Sequence, residues 1–181
     1  MAAEVSRRPL EAPAPPRDGD TTAFVREVLL PGGPWQTPRL DPAACAFALR
    51  VVRSDIHRWG VAAAQDIPAR RRVIEYTGER IGFREAWRRR FRPQLYLLRC
   101  SARRVIDGAI GGSGAEYINH GCEPNLAPRF DHGRVFLSSL RPIACGEELL
   151  LDYRLSGDLD PVPCRCGAAR CRGFLNVDHG A

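Results

Sequence analysis

Three thiols crowd into eight residues near the C-terminal end, Cys164-Arg-Cys166-Gly-Ala-Ala-Arg-Cys171. At that spacing three thiolates can share one small tetrahedral ion, and in a reducing compartment such crowding reads as a metal site rather than as disulfides. A closed zinc site needs a fourth ligand from elsewhere: Cys45, Cys100, Cys122, Cys145 or one of the four histidines. Without a metal, exposed thiols this close together would be an oxidation liability. Two other segments carry polar groups at loop positions. Tyr117-Ile-Asn119-His120-Gly121-Cys122-Glu-Pro124-Asn125 sets an amide beside an imidazole, and Gly146-Glu147-Glu148-Leu-Leu-Leu151-Asp152-Tyr153 ends an apolar run on a carboxylate and a phenol. Taken singly, the first reads as a turn whose side chains bond their own backbone, and the second as strand-end packing.

The elements that must hold these groups are short. Ala46–Arg53, Arg72–Thr77, Arg104–Asp107, Arg134–Ser138 and Glu148–Tyr153 read as strands bounded by Gly, Pro, Asp or Ser. Phe83–Phe91 alone has a helix period of useful length, stopped by Pro93. The expected body is mainly β, with small turns and few short helices. Eight of the 15 prolines fall in residues 1–42, so residues 1–45 are expected to form a Pro-rich arm, partly disordered.

The 181 residues suffice for about one domain. All 27 residues counted as Lys+Arg are arginine, which a GC-rich coding bias explains. Between Arg84 and Arg104 stand Arg84, Arg88, Arg89, Arg90, Arg92, Arg99, Arg103 and Arg104 against Glu85 alone, whereas the whole chain carries a net charge of only +6. This patch reads either as a solvated helix face or as a surface for nucleic acid or an acidic protein. No apolar run is long enough to cross a membrane, and Met1–Leu10 lacks a signal-peptide pattern. An intracellular protein is expected.

The order of the motifs is more informative than any one of them. Ile56-His57-Arg58-Trp59-Gly60-Val61, Glu75-Tyr76-Thr77-Gly78-Glu79, the Asn119-His120 block, the Glu147-to-Tyr153 block and Cys164-x-Cys166-Gly-x3-Cys171-Arg-Gly173-Phe174-Leu175 follow one another over residues 47–177. In this order they resemble the SET-domain family of protein lysine methyltransferases with its post-SET tail, most of all the small bacterial members. The resemblance implies a β-clip of short sheets with a knot-like crossing, a SET domain over residues 46–155 and a zinc-binding post-SET tail over 156–181. It also implies S-adenosylmethionine as cofactor and one structural zinc held by Cys122, Cys164, Cys166 and Cys171. Arg58, Trp59, Gly60, Asn119, His120, Phe174 and Leu175 fall at cofactor-binding positions, Tyr153 and Tyr76 at catalytic ones, and Tyr76, Leu151 and Tyr153 along the substrate channel. The implied substrate is a lysine-containing protein, histone-like or other. Bacterial cytoplasm is the expected compartment, with a nucleus or export to a host as alternatives. A catalytically weak module holding nucleic acid or an acidic protein through Arg84–Arg104 is the rival reading.

Five residues depart from the family pattern. Arg58 stands where a first glycine is usual, Ser113 for Asn, Glu116 for Arg and Gly121 for Ser. Leu151 replaces an aromatic that limits methyl number, so the resemblance implies room for more than one methyl.

Overall fold

The computed structural model describes residues 38–177 apart from 91, 93, 94 and 158. The expected arm therefore lies mostly outside the described residues. Residues 38–45 are described, and they lie against the body: Asp41 N–H donates to Ser113 O at 2.8 Å, and Cys45 bridges to Ile74.

The architecture is mainly β, as the spacing of turn residues predicts. β1 (Leu49–Arg53) and β2 (Trp59–Ala63) form an antiparallel hairpin. β3 (Arg72–Glu75) edges a five-stranded sheet. Next come β4 (Glu79–Gly82), the helix α1 (Phe83–Arg89), β5 (Leu97–Arg99) and β6 (Arg104–Asp107), with β6 central in a three-stranded sheet. A 3-10 turn at Ala115–Tyr117 leads into β7 (Asn119–His120), followed by the long hairpin β8 (Leu126–Asp131) and β9 (Arg134–Ser139). β10 (Leu150–Leu151), β11 (Leu155–Ser156) and β12 (Asn176–Val177) are two-residue strands.

The large sheet has the order β3-β9-β8-β10-β7. β10 runs parallel to both flanking strands: Leu151 pairs with His120 on one side and Leu126 on the other. The link 121–125 must then carry the chain from one side of β10 to the other, which is the knot-like crossing. Asn125 secures it, its Nδ2 donating to Glu148 O and its Oδ1 accepting from Leu150 N–H, both at 2.8 Å. Buried β-branched and leucine side chains fill the centre, among them Val61, Ile74, Ile118, Leu137 and Leu149, each at most 2% exposed.

Helix α1 is shorter than the periodicity predicts, and its arginines do not all face solvent. Glu79 and Asp107 are directly opposed across β4 and β6, an unfavourable pairing of like charges. The Arg89 guanidinium resolves it, with Nη1 2.6 Å from Glu79 and 2.7 Å from Asp107 while Nε reaches Glu85 at 2.8 Å. Arg92 adds a second contact to Asp107 at 3.1 Å. Two members of the arginine run are thus structural counter-ions for carboxylates outside the run.

Candidate active site and cysteine cluster

β7 and β10 place Asn119-His120 beside Leu150-Leu151, and the chain leaves β10 directly into Asp152-Tyr153. Asn119 and His120 are buried. Both hydrogens of the Asn119 amide are committed, to Trp59 O at 2.8 Å and to Glu148 Oε1 at 2.9 Å. His120 accepts from Tyr153 N–H through Nδ1 at 3.1 Å, so the proton of the neutral ring belongs on Nε2, 3.4 Å from Cys122 Sγ. Burial holds this imidazole below its ordinary pKa against the pull of Asp152, and the Arg172 cation acts in the same direction as burial.

The two tyrosines share a hydrogen-bonding logic. Tyr153 is 40% exposed as a residue, yet its hydroxyl turns inward and donates to Ile118 O at 2.8 Å. Tyr76 is buried, and its hydroxyl donates to Tyr96 O at 2.7 Å. Desolvation raises both phenols above their ordinary value. Each is therefore a neutral phenol at physiological pH whose single hydrogen is already given away. Toward any third partner such an oxygen can only accept.

The hairpin β1–β2 brings Trp59 and Gly60 to this site. An added Cβ at Gly60 would lie 2.2 Å from Glu148 Oε1 and 3.2 Å from Asn119 Nδ2. Arg58 precedes them with φ +43°, a left-handed conformation that favours glycine and costs other residues on the order of 1 kcal/mol. The exposed Arg58 thus carries backbone strain where the family pattern has a glycine. Gly121 is closely packed: a side chain there would meet Leu150 at 2.9 Å. Ser113 donates its hydroxyl to Glu75 O at 2.5 Å, tying the 111–114 loop to the strand that leads into Tyr76. Glu116 is buried, accepts from Gly114 N–H at 2.8 Å, and is pushed up to about 7 by burial. Leu151 is buried at 6% exposure.

The sulfurs of Cys122, Cys164, Cys166 and Cys171 lie within 4.8 Å of one another, bringing the tail against the link that crosses β10. Cys122 Sγ is 3.7 Å from Cys164 Sγ and 3.8 Å from Cys171 Sγ. A tetrahedron with metal–sulfur bonds of about 2.3 Å has edges of about 3.8 Å, so this donor set fits one zinc ion. Cys45 and Cys100, half-buried, and Cys145, exposed, are outside the cluster.

Two residues that the motifs did not single out complete the site. Arg172 grips Asp152 with both Nη atoms, at 2.5 and 3.1 Å, and also donates to Phe174 O at 2.9 Å and Leu175 O at 3.1 Å. It fixes the tail against the exit of β10, leaving Phe174 48% exposed. Glu148 accepts from Asn119 and, through Oε2, from the Ser54 hydroxyl at 3.1 Å. Arg172 lies inside the Cys171-Arg-Gly173 stretch of the motif, but its partner Asp152 is 20 residues away and no local signal pairs the two. No local signal in the sequence marks Glu148 apart from Glu147.

The SET-domain family model matches residues 58–154. The chain is 39% identical over 137 residues to the H3 lysine-4 specific histone-lysine N-methyltransferase of Saccharomyces cerevisiae, covering 68% of this chain and 13% of that protein. The chain belongs to the SET-domain family. The histone-lysine N-methyltransferase trithorax of Drosophila virilis is 36% identical over 135 residues, 70% of this SET-domain chain and 4% of that protein. Among solved structures, KRYPTONITE in complex with mCHG DNA and SAH superposes with a TM-score of 0.63 at 30% identity, over 72% of this chain and 29% of that one. Polycomb Repressive Complex 2 of Chaetomium thermophilum gives 0.55 at 32% identity, over 59% and 16%. This SET-domain chain spans only a small fraction of the length of these curated relatives. They are fungal and insect proteins, and the bacterial assignment draws no support from them. No helix among the described residues is long and apolar enough to cross a membrane.

Proposed function

We propose that this SET domain is a protein-lysine N-methyltransferase that uses S-adenosylmethionine and one structural zinc. The observation that carries this reading is that Trp59-Gly60 and Tyr153 meet Asn119-His120 at the β7–β10 pairing through hydrogen bonds, with Cys122 on the adjoining link joining the three tail cysteines in one cluster. Asn119, His120 and the Arg58–Gly60 turn would hold the cofactor, with Phe174 or Leu175 of the tail covering its adenine. Bound S-adenosylmethionine supplies a methyl group on a sulfonium. Cys122, Cys164, Cys166 and Cys171 would hold the zinc, which anchors the tail.

The chain's own contribution is alignment and polarity. A lysine ammonium has no lone pair, and releasing its proton at pH about 7.4 costs about 4 kcal/mol against a reference pKa near 10.4. A desolvated channel lowers that cost by disfavouring the ammonium. Tyr153 and Tyr76, their hydrogens bound to Ile118 O and Tyr96 O, present oxygen lone pairs that can orient the amine through its N–H groups. Neither phenol is required as a base. Leu151, in place of a ring, supports transfer of more than one methyl.

The named activities of the relatives make a histone-like tail the first substrate to try. An intracellular setting and nucleic-acid contact through the solvent-facing part of Arg84–Arg104 belong to the same reading; a neighbour bound to DNA supports the latter. Zinc-loaded protein incubated with labelled S-adenosylmethionine and histones should transfer label to lysine, and mass spectrometry should find di- or trimethyl products. Tyr153→Phe should lose roughly 100-fold in rate, the scale of one positioned polar group in a reacting site. Full activity in that variant would refute the mechanism, and monomethyl lysine alone at long times would refute the role of Leu151.

A further inference from the structure

Among the described carboxylates that are not exposed, Glu148 and the buried Glu116 alone take no arginine. Glu75, Glu79, Asp107, Glu147 and Asp152 each take an arginine. Glu148 makes no ion pair among the described residues in a chain with 27 arginines; its partners are two neutral donors, the Ser54 hydroxyl and the Asn119 amide. A partly buried carboxylate is ordinarily paired. Its position is also built. Leu149 N–H donates to Val61 O at 2.8 Å and Ala62 bridges to Glu148, which pins the backbone against β2. Gly60, lacking a side chain, leaves the space that Oε1 occupies.

The consequence falls on Asn119. With both amide hydrogens committed to Trp59 O and Glu148 Oε1, the amide orientation is fixed and Oδ1 is its remaining pole. No partner for that oxygen occurs among the described residues, and none of their buried side-chain oxygens lacks a partner, so Oδ1 reaches a solvent-accessible space. An acceptor oxygen with an uncompensated carboxylate behind it suits a cation carrying N–H groups.

We propose that Glu148 is a positioning residue and counter-charge for the ammonium of the cofactor's amino-acid end, acting through Asn119. Gly60 is then conformed to Glu148 rather than to the cofactor alone. This inference rests on the S-adenosylmethionine reading. A charge-assisted hydrogen bond of this kind contributes enough to change affinity about tenfold or more.

The test compares two ligands by calorimetry on the zinc-loaded full chain: S-adenosylhomocysteine and its desamino analogue, which has hydrogen in place of the α-amino group. Wild type should prefer S-adenosylhomocysteine about tenfold or more. Glu148→Gln keeps an oxygen for Asn119 but removes the charge, and should cut that preference to roughly threefold or less. Glu148→Asp keeps the charge but withdraws it from Asn119; it should also narrow the preference, and it decides the matter if the glutamine variant does not fold. An unchanged preference in the variants, or equal weakening of both ligands, overturns the proposal by making Glu148 merely structural. Wild type binding both ligands equally also overturns it while leaving the cofactor reading intact. Failure of wild type to bind S-adenosylhomocysteine at all overturns the cofactor reading itself.

Discussion

At the scale of single residues, Glu116 shows how burial alone can make a carboxyl a pH-dependent liability. It stands where the family pattern has an arginine, is 8% exposed, and has the phenols of Tyr76, Tyr96 and Tyr117 as its titratable neighbours, with no cation paired to it among the described residues. Burial pushes its pKa up from an ordinary 4.5 to about 7, even though the Gly114 amide and its own amide favour the ionised form. The folded state therefore keeps a proton that the unfolded chain gives up. Stability from this residue is full below pH about 4.5 and is lost as pH rises through about 7. The loss amounts to roughly 3 kcal/mol, since each tenfold change in acidity corresponds to about 1.4 kcal/mol. Glu116→Gln can still accept from Gly114 N–H without carrying a charge. Its stability advantage over wild type should widen by about 2–3 kcal/mol between pH 5 and pH 8 in denaturant melts. A gap that stays constant over that range would show that the carboxyl does not titrate there.

At the scale of elements, the site depends on strands too short to stand alone. β7 and β10 have two residues each, and what orders them is the passage of β10 between β7 and β8, together with the tail that Arg172 and the cysteine cluster bring to its exit. Removing the metal should accordingly loosen the tail without dissolving the large sheet. Chelation is expected to lower S-adenosylhomocysteine affinity by about tenfold or more and to expose residues after Tyr153 to protease. The far-UV circular dichroism should change little, since metal binding is coupled to the folding of the segment that holds it. Affinity and protease resistance that survive complete chelation would remove the zinc from the reading. The same elements show what could be read in the sequence. β6 matches its predicted bounds, and β1, β3 and β9 are found within a few residues, because alternation and turn residues are local signals. The C-x-C-x4-C spacing is local as well. β10 falls inside the predicted Glu148–Tyr153 strand, trimmed to two residues, whereas β7, β11 and β12 are set by pairings with distant segments and their two residues carry no period to detect. The fate of Arg89 was hidden for the same reason: only the register of β4 against β6 reveals that Glu79 and Asp107 need a shared cation.

At the scale of the whole molecule, positive side-chain charge at neutral pH is supplied by guanidinium groups, and the structure divides them between two kinds of work. Arg89, Arg92, Arg134, Arg141 and Arg172 neutralise carboxylates that hold strands and tail together. Planar, permanently charged forks suit this, since they bond two acceptors at once and do not titrate. Arg88 is largely solvent-facing, with a side chain 79% exposed and only a 3.6 Å contact to Glu85, and positive charge so placed favours phosphate over lysine-rich tails. The proposed cofactor and substrate chemistry would thus operate in a chain with no side-chain amine of its own. A methyltransferase acting on lysine cannot use such a chain as a lysine substrate, in the same molecule or in a neighbouring copy. Incubated with labelled S-adenosylmethionine and no acceptor, the protein should take up no label on any side chain, leaving the N-terminal amine as the single amine available. The measurement is tandem mass spectrometry of the incubated chain beside a reaction containing histones. Label on an arginine, histidine or cysteine of the chain itself would show that the site does not select an alkyl amine, and the assignment to lysine would fall with it.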